Sequence, residues 1–280
     1  MAYALEERVK EVVKVVKLPS MYTRQNRGAD ECCCKFDVFG SETNDLEKKM
    51  YTSAWIKYAQ EVNFILIRPN GLEVVLTALP FVNDEDALYT TVDWSNIIDL
   101  YGIGCYQIRI DFLISGIEDS FIWGNYNLFN YDLQRLNHKV MITSIFDSFQ
   151  TFENINFKDT KVKDSLCFNG WFGNSQDGML VENLVYNNRE TRKSFRESVV
   201  EYELTCQTES ECIVNKLREQ HLLNENEMYV NDYNAFNHNQ YLNTAVIIAE
   251  SPKATYNHPK ATITVKVEDK FKNKRSKFTK

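Results

Sequence analysis

The sequence predicts a mainly β protein, two antiparallel β-sandwich-like domains with a few short helices. Three observations predict it. Apolar and polar residues alternate along several short segments. An Asn-Gly pair, Asn70-Gly71, separates two of those segments, a strong local signal for a hairpin because both residues tolerate positive φ. Helical patterning is confined to short stretches. With 280 residues and 44% hydrophobic content, the chain has room for two cores of about 100–150 residues each. These are placed at 1–120 and 121–269, followed by a basic tail at 270–280.

Taken in order, residues 5–16 place Leu5, Val9, Val12, Val13 and Val16 at helical spacing, while the β-branched run 12–16 favours a strand. Both readings stay open until Pro19, which ends either. A short strand is predicted over 33–39, then a polar linker over 40–49. Residues 62–67 and 72–78 alternate around the turn Arg68-Pro69-Asn70-Gly71, and Trp55, Ile56 and Tyr58 are assigned to the same sheet. The stretch 93–102 reads as a short helix that Asp93 caps at its start and Gly102 at its end. Tyr106, Ile108, Ile110 and Phe112 then mark one face of a strand.

In the second half a strand or turn-rich segment is expected at 139–149, followed by an aromatic corner at 168–173 rich in glycine. Two strands of an antiparallel sheet with a polar outer edge, 180–186 and 199–205, are joined by the charged link 187–193. A helix is expected at 209–222, a short strand ending in an Asn/Asp turn at 228–234, and a last strand at 262–267 with Ile263, Val265 and Val267 inward. No segment repeats at a fixed period.

Charge is uneven. The whole chain carries −7, so the six basic residues of the tail leave −13 on residues 1–269. Lys272, Lys274, Arg275 and Lys277 of that tail are candidate contacts for an acidic neighbour, since the acidic body would repel nucleic-acid phosphates. No apolar run approaches the roughly 18 residues of a membrane helix. The first residues lack a signal-peptide pattern, so synthesis in the cytoplasm is expected. The seven cysteines include no C-x-x-C pair and are expected as free thiols, several of them buried.

No catalytic motif assembles: G-x-S-x-G, H-E-x-x-H, a P-loop and a strand-following G-x-G-x-x-G are all missing. Glu182 with Glu201 or Glu203 is the one carboxylate pair that neighbouring strands could form, and a solvated sheet face explains it better. Asn83-Asp84-Glu85-Asp86 lacks the calcium-loop pattern. Neither a cofactor nor a metal site is expected. Trp123 with Tyr126, and Trp171 with Phe172, lie among asparagines and glycines. They are candidate interaction surfaces, as sugar platforms or, more in keeping with aromatic chemistry, as core and interface anchors.

The run Gly170-Trp171-Phe172-Gly173-Asn174, then Glu182–Tyr186 with Arg189, then Glu201-Tyr202-Glu203-Leu204, resembles β-rich tail proteins of crAss-like short-tailed bacteriophages. So do Tyr229 to His238 and, in the first half, Val92-Asp93-Trp94 with Tyr101 to Gln107. The resemblance implies a non-enzymatic virion component, a subunit of a ring or hub in the tail around the DNA-ejection channel. It also implies a cyclic homo-oligomer of about six or twelve copies, contacts with other tail or portal-proximal proteins, and DNA met only in transit. A carbohydrate- or receptor-binding β-sandwich is the alternative expectation.

Overall fold

The structure is a computed structural model, describing residues 35–41, 45–114, 116–147, 149–150, 155–160, 162–185, 191–208, 210–222, 227–237, 241–257, 260–270 and 273–275. The pattern expected at residues 5–16, the three consecutive cysteines Cys32, Cys33 and Cys34, and His238 and His258 lie outside them. The protein is mainly β. In order, the strands are β1 (Lys35–Gly40), β2 (Tyr51–Lys57), β3 (Gln60–Ile67), β4 (Glu73–Leu76), β5 (Leu79–Phe81) and β6 (Asp84–Asp93). Helix α1 (Trp94–Tyr101) leads to β7 (Gly104–Ile114), β8 (Ile117–Asn130) and the single turn α2 (Leu133–Leu136). Then come β9 (Lys139–Phe146), the short β10 (Phe149–Gln150) and β11 (Ile155–Asn156), β12 (Val162–Val185) and β13 (Thr191–Thr208). Helix α3 (Glu211–Asn215) runs on as a π-helical turn, Lys216–His221. The chain finishes with β14 (Glu227–Asp232), β15 (Thr244–Ile248), β16 (Lys253–Asn257), β17 (Lys260–Asp269) and β18 (Asn273–Arg275).

The first half is a sandwich. One sheet has the order β1-β8-β7-β3-β4 and the other β2-β6-β5. Trp55 of β2 meets Trp123 of β8 edge-on at 4.9 Å between them, which puts aromatic rings where two inner sheet faces must interdigitate. Local chemistry behaves as the sequence predicts. Asp93 accepts the Ser95 N–H at 2.9 Å and caps α1, and Gly102, at φ 83, closes it by donating to Ile98 O. The Asn70-Gly71 loop joins β3 to β4, with Gly71 at φ 77.

Three expectations are corrected here. Trp55 and Ile56 belong to the smaller sheet, because β2 pairs with β6 rather than with the hairpin β3–β4. The domain boundary expected at residue 120 falls inside β8, which pairs with β7 across a turn that includes Gly116 at φ 79. The apolar alternation simply continues through that turn, so the sheet does too. And β1 joins β8 in parallel, a pairing absent from the antiparallel expectation. One contiguous core links both halves, from Phe36 to Val267.

In the second half the sheet curls back on itself. Around the ring, β9 pairs with β12, β12 with β13, β13 with β17, β17 with β15, β15 with β14, and β14 with β9, all antiparallel. Closure removes the sheet's two edges except where β12, before Gly170, has no β13 neighbour. Directly paired residues share a face. Register therefore places Val140, Ile142, Leu166, Phe168, Leu204, Val265 and Val230, all buried, on the interior. The same face carries two carboxylates, Asp164 and Asp232, each fully buried. Cys167 and Cys206 are free and buried, and burial pushes both thiols up to about 12. Cys212 takes part in a disulfide, which corrects the free-thiol expectation at that residue.

Candidate functional site

The barrel strands do not all stop together. β9 covers β12 only to Asn169, and β17 covers β13 from Glu201 onward. Past those limits β12 and β13 continue as a two-stranded ribbon, with Gly178 opposite Val199 and Val185 opposite Thr191. At about 3.3 Å per residue, the seven steps from Gly178 to Val185 extend this arm by about 23 Å. Strand β18 flanks its base, with Arg275 opposite Arg196 and Lys274 opposite Glu197. The sequence foresaw two strands of an antiparallel sheet here, 180–186 and 199–205, joined by a charged link at 187–193. Antiparallel strands are found and they are longer, with β13 already begun at Thr191, while residues 186–190 of the expected link lie outside the described residues.

A polar clamp holds the point where the arm leaves the barrel. Asp232 Oδ2 accepts the Phe172 backbone N–H at 3.1 Å, and Oδ1 accepts the Asn234 N–H at 2.9 Å. The side-chain amides of Asn234 and Asn237 also donate to this carboxylate. The same two amides reach across to Gly170 O and Phe172 O, each at 2.9 Å. A buried carboxylate ringed by N–H donors of its own turn and of the neighbouring strand is satisfied without any counter-cation. Gly170 is required at this crossing, because a Cβ there would stand 2.0 Å from Thr205 O. Behind the clamp Phe172, Tyr202 and Tyr241 stack, with ring centroids 5.0–5.6 Å apart. Two sequence runs that carried the phage-tail resemblance, around 170–174 and 229–238, thus meet in one structural joint. The aromatic corner is no turn: Gly170 to Gly173 lies within β12, and a bulge follows between Gly173 and Gln176.

The predicted site residues divide. Trp123, Tyr126 and Phe172 are corrected to core positions, 4%, 2% and 0% exposed. Trp123 is held by Trp55, and Tyr126 by Trp94 at 5.0 Å and Phe36 at 5.8 Å. Trp171 is half-buried, on the opposite face of β12 from Phe172. Lys274 and Arg275 sit on β18 beside the arm, while Lys272 and Lys277 lie outside the described residues. The carboxylate pair does not form. Glu182 is opposite Phe195, whereas Glu201 is opposite Gln176. Six residues of strand are about 20 Å, far beyond the roughly 5–9.5 Å of a glycosidase pair. In the acidic stretch at 83–86, Asp84 binds Lys57 at 2.6 Å, and Asn83 donates to Lys158 O. Among the described residues, no group of three His, Cys, Asp or Glu side chains is arranged to hold a metal ion, and no helix is long and apolar enough to cross a membrane.

Sequence reasoning missed a second buried polar cluster. Beside Asp164, β12 has no β13 neighbour, and β2 runs alongside instead. Ser53 N–H donates to Asp164 Oδ1 at 3.2 Å, and Tyr51 N–H to Ser165 Oγ at 3.2 Å. The helix α3 with its π turn closes the gap and brings Lys216 Nζ to 2.7 Å and His221 Nε2 to 3.3 Å from Asp164 Oδ2. The Lys216 contact is ionic, whereas the buried His221 ring presents its Nε2 edge to the carboxylate. His221 Nδ1 lies 2.9 Å from Ser144 Oγ, so a neutral ring protonated at Nε2 accepts the serine proton. Burial raises the Asp164 carboxyl, but Lys216 and then His221 outweigh it and bring it below the ordinary value. Burial lowers His221, with Asp164 opposing. A signal was present: Asp164 stands on the apolar face of an alternating run, Val162-x-Asp164-x-Leu166-x-Phe168.

On the outer face of the five-stranded sheet a groove of about 520 Å³ opens among β3, β7 and β8. Glu61, Asp111, Glu118 and Asp119 line it against one cation, Arg109. Arg109 is already engaged by Asp111 and Glu73, each at 2.8 Å.

No family model and no curated protein matches the chain. Among solved structures it is similar to a crystal structure of chicken TCR at 7% identity and a TM-score of 0.22, over 86% of this chain and 89% of that one. A superposition that loose carries no argument about fold or function.

Proposed function

We propose that this chain is a virion structural protein, a subunit of an oligomeric ring or hub in a bacteriophage tail, where it helps form the DNA-ejection channel and binds neighbouring tail proteins. The observation that carries the reading is the arm. A two-stranded ribbon of this length has no core of its own and is marginal in water unless something packs on it, yet a buried clamp fixes its root in the barrel. A rigid root with an extension that, among the described residues, pairs beyond the barrel only with β18 is the geometry of a part that completes itself on a neighbour. Rings follow when such a head-to-tail contact closes by rotation. The reading includes no chemistry on a substrate: Asp232 and Asp164, the buried polar groups, hold strands and helix together.

Purified protein viewed by negative stain and by sedimentation is expected to form annuli many times heavier than 32.8 kDa. A strictly monomeric chain that captures no other tail component would remove the reading. Immunogold labelling of phage particles is expected to mark the tail. The glycan-binding alternative draws no support from Trp123, Tyr126 and Phe172, which are core residues.

A further inference from the structure

We infer that the arm of one copy docks in the acidic groove on the sandwich of the next. This deepens the ring reading and rests on it, but identifies which two surfaces meet. The arm, Asp177 to Val185 with Thr191 to Val200, and its flanking strand β18 together contain Arg192, Lys193, Arg196, Lys274 and Arg275 against Asp177, Glu182 and Glu197, five cations to three acids. Backbone pairing sets Arg196 opposite Arg275 at the base of a ribbon that belongs to a body carrying −13 over residues 1–269, the chain's −7 less the six tail cations. The groove offers the converse, four carboxylates to one guanidinium. It also lies where strand cover ends. β4 pairs with β3 only from Phe64 to Ile67, so the β3 backbone beside Glu61 and Asn63 has no β4 neighbour.

A ribbon that arrives there finds a charge match beside a stretch of β3 with which β4 does not pair, the two elements of strand addition to a sheet edge. The two surfaces belong to different halves of the chain, so the contact is head-to-tail and propagates around a ring. Duplex DNA is the lesser fit for the arm, because the acidic body stands beside it.

The test uses the full chain and two one-sided charge reversals. Arg192→Glu with Lys193→Glu alters the arm, and Glu61→Lys with Glu118→Lys alters the groove. Circular dichroism and thermal melting check that each variant is folded, and mass photometry over a concentration series reads the assembly. Each one-sided variant is expected to associate at least about tenfold more weakly than the parent, with the loss mimicked by high salt. The variant carrying both reversals is expected to recover assembly, because the charges are then exchanged. If the parent assembles and the folded one-sided variants assemble equally well, the docking is overturned while the ring reading stands. If both one-sided variants dissociate and the exchange fails to restore assembly, the pairing of these two surfaces is wrong. Retention of duplex DNA that is lost in the arm variant, with assembly unchanged in both, overturns the docking in favour of nucleic acid. A parent that is monomeric at every concentration and alongside other tail proteins removes the docking and the ring together.

Discussion

The barrel buries one carboxylate near each end of its interior, and the two are satisfied in opposite ways. Asp232 is met by backbone and side-chain N–H groups of neutral residues that belong to the same turn or the crossing strand. Asp164 is met by the Lys216 ammonium and the His221 imidazole, both from a helix more than fifty residues away in sequence, with the Ser53 N–H of β2 completing the shell. The first arrangement ties a local turn to a strand. The second ties three distant elements at the seam between sandwich and barrel. A carboxylate paired with Lys and His makes the seam depend on protonation.

The largest effect is expected at the seam. Asp164→Ala leaves Lys216 buried without its counter-charge and is expected to cost about 3–5 kcal/mol of unfolding free energy in urea titration. A triple variant, Asp164→Leu with Lys216→Met and His221→Leu, is expected to recover most of that loss, since an apolar replacement removes the desolvation penalty along with the pair. If the triple variant is no better than the single one, the seam is specified by the ions themselves.

At the other end Asp232→Ala strands several donors and is expected to cost about 2–3 kcal/mol. Its distinguishing mark is local: hydrogen exchange at Phe172 and along the arm root is expected to accelerate more than in the sandwich. Gly170→Ala drives a Cβ into Thr205 O and is expected to cost about 1–3 kcal/mol through strain at the same joint, without altering exchange near His221.

The smallest effect is the pH dependence. His221 is held below its ordinary 6.5 by burial, so the unfolded chain takes up a proton first as pH falls. Its contribution to stability is complete above pH 6.5 and is lost as pH falls through the folded value. The depressed Asp164 acts in the same direction below its ordinary 3.8. Stability is therefore expected to decline on acidification from pH 6.5, by at most about 1.4 kcal/mol per pH unit for one group. His221→Gln is expected to flatten the first part of that decline.

Much of the architecture was legible along the chain. The Asp93 cap, the Gly102 stop, the Asn70-Gly71 hairpin, the helix closing near Leu222 and the inward set Ile263, Val265 and Val267 all follow from neighbours within a few residues. The interaction surface was legible only in part. Trp123, Tyr126 and Phe172 were singled out for their company of asparagines and glycines, but ring packing against Trp55, Trp94 and Tyr202 places them inside. Aromatic side chains serve core and surface equally well, and sequence spacing does not say which. Lys274 and Arg275 were found by charge alone, and their place beside Arg196 came only from pairing.

By itself the sequence determined a subset of the strands, among them those over 62–67, 106–112 and 262–267, and which faces of them are apolar, because alternation and turn chemistry are local properties of the chain. Only tertiary structure decided that six strands close into a barrel, that β12 and β13 outrun it as an arm, and that Asp164 and Asp232 find their partners. Those outcomes depend on register and on contacts between residues far apart in sequence, and no local pattern encodes them.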